Sequence, residues 1–304
     1  MMPPTLFASV ASLLLAIEHE RADPERVREL VSSARPGWLA DLGWVTLARK
    51  ALLSADVPTA RAYMERIGSS DPVLTDRRDK LVTLIAGREG RFEEARSSLE
   101  AWSADARETP GFADLHGHIE FWNGNFDQAS GWFAEAAERA ERRGDILEAA
   151  RGLRHLARAL ALAGDAAAPR AIELATEANA AIDSAIGLAQ LEASEAILRA
   201  REGDAVGADQ LLQSARDALG QAGAVNDVMT TRLLELVTAM IAGDAPREDT
   251  LAESIAGLGT DGPAAVAGTI AALLRGQGRQ SSQVELSDIG ATAARWRAAA
   301  MAAT

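Results

Sequence analysis

Three groupings in this 304-residue chain combine side-chain types and spacings that could do chemistry. The first is His116, His118 and Glu120, two imidazoles and a carboxylate of the kinds that bind zinc. On a helix, residues two apart point to different sides, so only His116 and Glu120 share a face. Two ligands without a third do not hold zinc, and the expectation is packed or solvated histidines with no metal. His19 and His155 are isolated in sequence, and no serine or aspartate partners any histidine in a pattern that suggests nucleophilic catalysis. The second grouping is Gly257-Leu258-Gly259-Thr260-Asp261-Gly262, which has the form of a dinucleotide fingerprint. That motif works only after a strand, where the helix amides can face a pyrophosphate. Here it follows the helical stretch Leu251–Leu258 and reads as a plain loop. No phosphate-binding loop with its lysine is present, and no cofactor is expected.

The third grouping is a basic stripe. Between about Ile146 and Ala163, Leu153, Leu156, Ala157 and Leu160 fall on one apolar helical face. Arg151, Arg154 and Arg158 then cluster on the opposite side, where planar guanidinium forks could bind carboxylate or phosphate. A blander account stands beside this one. Glu148 precedes Arg151 by three residues, and Glu138 and Glu141 lie close to Arg142, so these arginines could simply pair along solvated helices.

Composition limits what such groups can serve. The chain is alanine-rich and contains two lysines, Lys50 and Lys80, one tyrosine and no cysteine. The absence of cysteine excludes disulfides, zinc–thiolate sites and thiol nucleophiles. Few β-branched runs and much alanine argue for helix almost throughout. A net charge of −13 argues against a general nucleic-acid or anionic-membrane binder, leaving room for a local cationic groove. The apolar stretch Leu6–Ile17 is too short to span a bilayer and reads as a first buried helix. With no export signal and no cysteine, a cytoplasmic location is expected.

The elements that must position these groups repeat. Gly90-Arg91-Phe92-Glu93-Glu94-Ala95 is followed by Leu99, Gly124-Asn125-Phe126-Asp127-Gln128-Ala129 by Phe133, and Gly203-Asp204-Ala205-Val206-Gly207-Ala208 by Leu212. Looser copies begin at Gly164 and Gly243, and a degenerate one at Ala55-Asp56. From Ala55 to Gly243 these turns are spaced 35, 34, 40, 39 and 40 residues apart. Helical periodicity on both sides makes each unit a helix hairpin. Glycine permits the positive φ that ends one helix, and the next Asp or Asn can cap the following one. The alanine five residues after glycine marks a close helix approach, and the bulky residue four further on fills the space beside it.

Over about residues 40–245 this pattern resembles the tetratricopeptide repeat (TPR) family, with the 40-residue units similar to sensor regions of large bacterial transcription regulators and signalling ATPases. The resemblance implies an all-α, right-handed α-solenoid of antiparallel hairpins in one domain over 1–304. Its parts would be N-terminal helices in 1–40, repeats in 41–245 and C-terminal helices in 246–304. The last of these, Glu285–Ala303 with Trp296, would cap the stack, or the natural chain continues past Thr304. First helices line the concave groove in this family. The resemblance therefore places Arg151, Arg154 and Arg158 in the groove, with Arg77, Lys80 and Arg88, then Asp114, His118, Phe121 and Trp122. Phe121-Trp122 and Trp132-Phe133 are adjacent pairs, so one member of each is expected at the surface or in the groove. The implied role is non-catalytic recognition of a protein or peptide, an anionic one by the arginines. The alternative is a sensor segment of a larger regulator, and the remote alternative an enzyme on the same scaffold. A small-molecule effector and self-association through the Ala-rich C-terminal helices stay open.

Overall fold

The computed structural model describes residues 24–33, 37–53, 56–68, 71–256, 267–268, 270–272, 274 and 286–302. Among these the chain is all-α, with no strand. It divides into two compact units, residues 1–85 and 86–304. The expected helix at Leu6–Ile17 and the Gly257–Pro263 and Gly276–Ser282 loops lie outside the described residues. No helix among the described residues is long and apolar enough to cross a membrane.

The first unit holds α1 (Pro24–Ser33), α2 (Trp38–Leu53), α3 (Val57–Met64) and most of α4 (Pro72–Arg88). Asp56 accepts a hydrogen bond from the Thr59 amide at 3.0 Å, capping α3 as its place in the degenerate turn predicts. Trp44 stacks on Tyr63, with ring centroids 5.6 Å apart, above a core that includes Val31 and Leu47.

The second unit runs through α5 (Phe92–Glu100), α6 (Ala104–Arg107), α7 (Pro110–Trp122), α8 (Phe126–Arg142), α9 (Ile146–Ala163), α10 (Ala168–Ala181), α11 (Ala185–Arg201), α12 (Ala205–Gln221), α13 (Val225–Ala242), α14 (Ala245–Ala256) and α15 (Leu286–Met301). From α7 to α14 each helix packs against the next in sequence, and α9, α11 and α13 also pack in turn against one another. The turns that end these helices are regular. Positive φ occurs at Gly124, Gly144, Gly164, Asp183, Gly203, Gly223 and Gly243, near-equal steps of 20 or 19 residues. The 40-residue spacing in sequence thus contains a second, matching turn at each midpoint. Only Asp183 adopts it without being glycine, with φ 53°.

The small-then-large rule places its residues in the core. Ala95, Ala129 and Ala208 are buried, and so are Leu99, Phe133 and Leu212. Between α8 and α9 the approach is closer than alanine would allow: a Cβ on Gly152 would lie 2.8 Å from the Ala137 backbone nitrogen. Helix α9 is consequently packed on several sides, which decides the environment of its arginines.

The C-terminal helix α15 packs against α13 and α9. Its Trp296 is fully buried against Phe121, Trp122 and Phe126, and the indole Nε1 donates to the Trp122 carbonyl at 3.2 Å. Arg295 donates to the Asn123 carbonyl at 2.6 Å, and Arg201 to the carbonyls of Leu162 and Ala299.

Candidate functional site

Helices α7, α9, α11 and α13, with Asn179 of α10, bring a set of ionisable and amide side chains together. Asp114 and His118 lie one turn apart on α7, and His155 enters from α9. The His155 Nδ1 is 2.9 Å from Asp114 Oδ1, and the His118 Nε2 is 3.7 Å from Asp114 Oδ2. The two imidazoles meet edge to face with centroids 4.5 Å apart. Toward α11, Arg154 Nε donates to Gln190 Oε1 at 2.7 Å, and its Nη1 to Asn179 Oδ1 at 3.2 Å. Gln190 in turn donates to Asp227 of α13 at 2.5 Å. Asn179 is fully buried and held by the carbonyls of Ala150 and Ala175, so it presents a fixed oxygen to Arg154.

Exposure grades across the set. The Arg151 side chain is 44% exposed and pairs with Glu148 at 2.7 Å, the pairing that its three-residue spacing predicts. His118 is 36% exposed, Asp114 17% and His155 8% by side chain. Arg158 is the most buried of the arginines, at 6%, with its guanidinium carbon 6.0 Å from the centre of the Phe121 ring. Its buried Nε has no hydrogen-bond partner among the described residues.

Burial dominates the electrostatics. It lowers Arg88 to about 10 against the opposing pull of Asp227, and with repulsion from Arg151 and Arg158 it lowers Arg154 to about 10. Both stay charged at neutral pH. Burial also lowers Arg158, with Asp227 as the opposing charge. For His118 and His155 burial outweighs the Asp114 carboxylate, lowering both and His155 far below 6.5, so both rings are neutral near pH 7. Burial alone would raise Asp114, but its neighbours His118, His155 and Arg151 hold it well below the usual carboxylate range.

The residues expected from sequence divide among several environments. Arg151, Arg154, Arg158, Arg88 and His118 join this set, Arg88 through its interaction with His118 and Asp227. The stripe of three arginines is not uniformly solvated, because α9 is enclosed at its C-terminal half. Of the expected apolar face, Ala157 is fully buried and Leu153, Leu156 and Leu160 are half-buried. Phe121 is buried under Trp296, and Trp122 is half-buried beside the same ring. Of the other adjacent pair, Phe133 is buried and Trp132 stacks on His116 at 4.3 Å. Arg77 is exposed and Lys80 half-buried, both in the first unit.

His155 is the residue that sequence reasoning set aside. It stands 41 positions from Asp114, and only the contact between alternate helices joins them. The available signal was the Asp114–His118 spacing of one helical turn, combined with a histidine on the next alternate helix. His116 and Glu120 do share a face but serve other partners: His116 packs on Phe112 and Trp132, and Glu120 binds Arg96 and Asn125.

Comparison of the chain with protein-family models, with curated proteins and with solved structures gives no match.

Proposed function

We propose that the chain is a non-catalytic binding module of the TPR-like solenoid type, and that α7, α9, α11 and α13 line its recognition face. The ligand would be an acidic peptide, bound through carboxylate or phosphate groups. The observation that carries this reading is Arg158, a buried cation with an unpartnered Nε. Leaving a buried donor unsatisfied costs about 1–3 kcal/mol, more for a charged group, so a folded chain that keeps one there is poised to gain from an incoming acceptor. Arg154 and Arg88 add positive charge in the same desolvated region, where a charge-assisted hydrogen bond is stronger than at an exposed surface. Asp227 and Gln190 orient the fork of Arg154 rather than neutralise the whole set.

A peptide array carrying acidic, phosphorylated and neutral sequences tests the reading. Wild-type protein is expected to retain acidic or phosphorylated spots, and an Arg154→Gln, Arg158→Gln variant of matching helicity to lose them. Equal retention by both proteins, or no preference for acidic spots, would count against it. The 20-residue spacing of left-handed turns supports a second reading, a sensor segment of a larger regulator, through the same 40-residue units. A small anionic effector in place of a peptide would then compete with the array for the same arginines.

A further inference from the structure

We propose that Asp114, His118 and His155 form a binding site for one divalent first-row transition metal ion, of the zinc class, that leaves a coordination position open. The three residues each offer a ligand atom, and all these atoms lie within 4.8 Å of one another. Zinc bonds to imidazole nitrogen and carboxylate oxygen of about 2.0–2.1 Å place neighbouring tetrahedral ligands about 3.3 Å apart. The separations from the Asp114 oxygens, 2.9 Å to His155 Nδ1 and 3.7 Å to His118 Nε2, bracket that value.

The donor set selects the metal. Two imidazoles and one carboxylate suit zinc, cobalt or iron in the divalent state, whereas calcium and magnesium take oxygen ligands. Three protein ligands are one short of a closed tetrahedral site, the arrangement that admits water or an exogenous ligand at the fourth position. The ligands come from α7 and α9, which both pack on α8: α9 meets it at the tight Gly152–Ala137 contact, and Phe133 of α8 meets both imidazoles.

The charges around the triad decide what occupies the open position. Arg151, Arg154, Arg158 and Arg88 surround it, against Glu148 and Asp227. That excess of positive charge opposes a bare cation and favours a metal carrying an anionic oxygen ligand. The site thus deepens the anion reading above, which supplies this ligand, while the metal triad itself rests on Asp114, His118 and His155 alone.

Chelator-treated full-length chain, titrated with Zn2+ by calorimetry and with Co2+ by visible absorption, tests the site. The expected result is one ion per chain, with the intense visible bands of tetrahedral Co2+. His118→Ala, which removes the most exposed of the three ligands, is expected to weaken binding at least 100-fold. Imidazole NMR gives a second measurement that needs no variant: Zn2+ should move the resonances of His118 and His155 and leave those of His19 and His116 in place. Binding that survives in His118→Ala, shifts confined to His19 or His116, or no stoichiometric uptake would each overturn the proposal. Arg158→Gln separates the two readings. It should keep the Co2+ bands and lose the rise in metal affinity that added inorganic phosphate produces in the wild type. Bands retained with no phosphate effect in either protein would leave the metal site standing and remove the anion.

Discussion

Glu120 on α7 and Arg158 on α9 are both buried charges, 5% and 6% exposed, and their surroundings differ in kind. Glu120 receives Arg96 Nε at 2.7 Å, Arg96 Nη2 at 3.1 Å and Asn125 Nδ2 at 2.6 Å. These bonds and the charge of Arg96 overcome the upward push of burial and hold its carboxyl below the ordinary value. Arg158 has a neighbouring carboxylate in Asp227 and an aromatic face in Phe121, but its Nε is left without an acceptor. A buried charge that is completely bonded ties helices together. One that is incompletely bonded lowers the stability of the free chain and retains capacity for a ligand.

Four substitutions break or sharpen this contrast. The largest effect belongs to the sealed end of α7. Trp296→Ala should cost about 3–5 kcal/mol, the usual loss for a large buried aromatic, read as a lowered urea midpoint. Next is Glu120→Gln, which should cost about 2 kcal/mol near neutral pH by leaving Arg96 without its ionised partner. The folded-state carboxyl is lowered, so this contribution is fully present above the unfolded value of 4.5 and fades as pH falls through the folded value. Paired urea titrations of wild type and variant at falling pH should show the gap narrowing only below the unfolded value of 4.5. Arg158→Met should go the other way, raising stability by about 1 kcal/mol while abolishing retention on acidic peptides. A loss of stability in that variant would place Arg158 with Glu120 as a structural charge. The smallest effect is expected at Asp145, which caps α9 through the Glu148 amide at 3.1 Å. Asp145→Ala should cost about 0.5–1 kcal/mol and leave peptide binding unchanged, as thermal melts and the same array would show.

What could be read from sequence followed from local rules. The helix Ile146–Ala163 ends where it does because Gly164 adopts the left-handed conformation and Asp145 caps the start. The offsets from Gly124 placed Ala129 and Phe133 in the core for the same reason, since turn and contact lie within ten residues. Arg151, Arg154 and Arg158 could be grouped because three- and four-residue spacing is itself a helix property. Their differing burial could not, because it depends on which helices enclose each turn of α9. The His155–Asp114 contact and the covering of Phe121 by Trp296 were hidden for a related cause. Both join residues far apart in sequence, and helical periodicity carries no signal across that distance.

The Trp296–Trp122 contact also bears on the order in which the second unit assembles. Helices that pack on their sequence neighbours can form by local growth, one pair nucleating the next, with little chain to close at any step. The indole of Trp296 bonds a carbonyl 174 residues earlier, so α15 can dock only after the intervening helices have brought Trp122 into place. That closure makes the last step of folding the one with the highest loop entropy. It also ties α7 and α15 into one cooperative transition. Removing α15 should therefore quicken refolding while broadening the unfolding transition, because the remaining helices would depend only on adjacent and next-but-one helices.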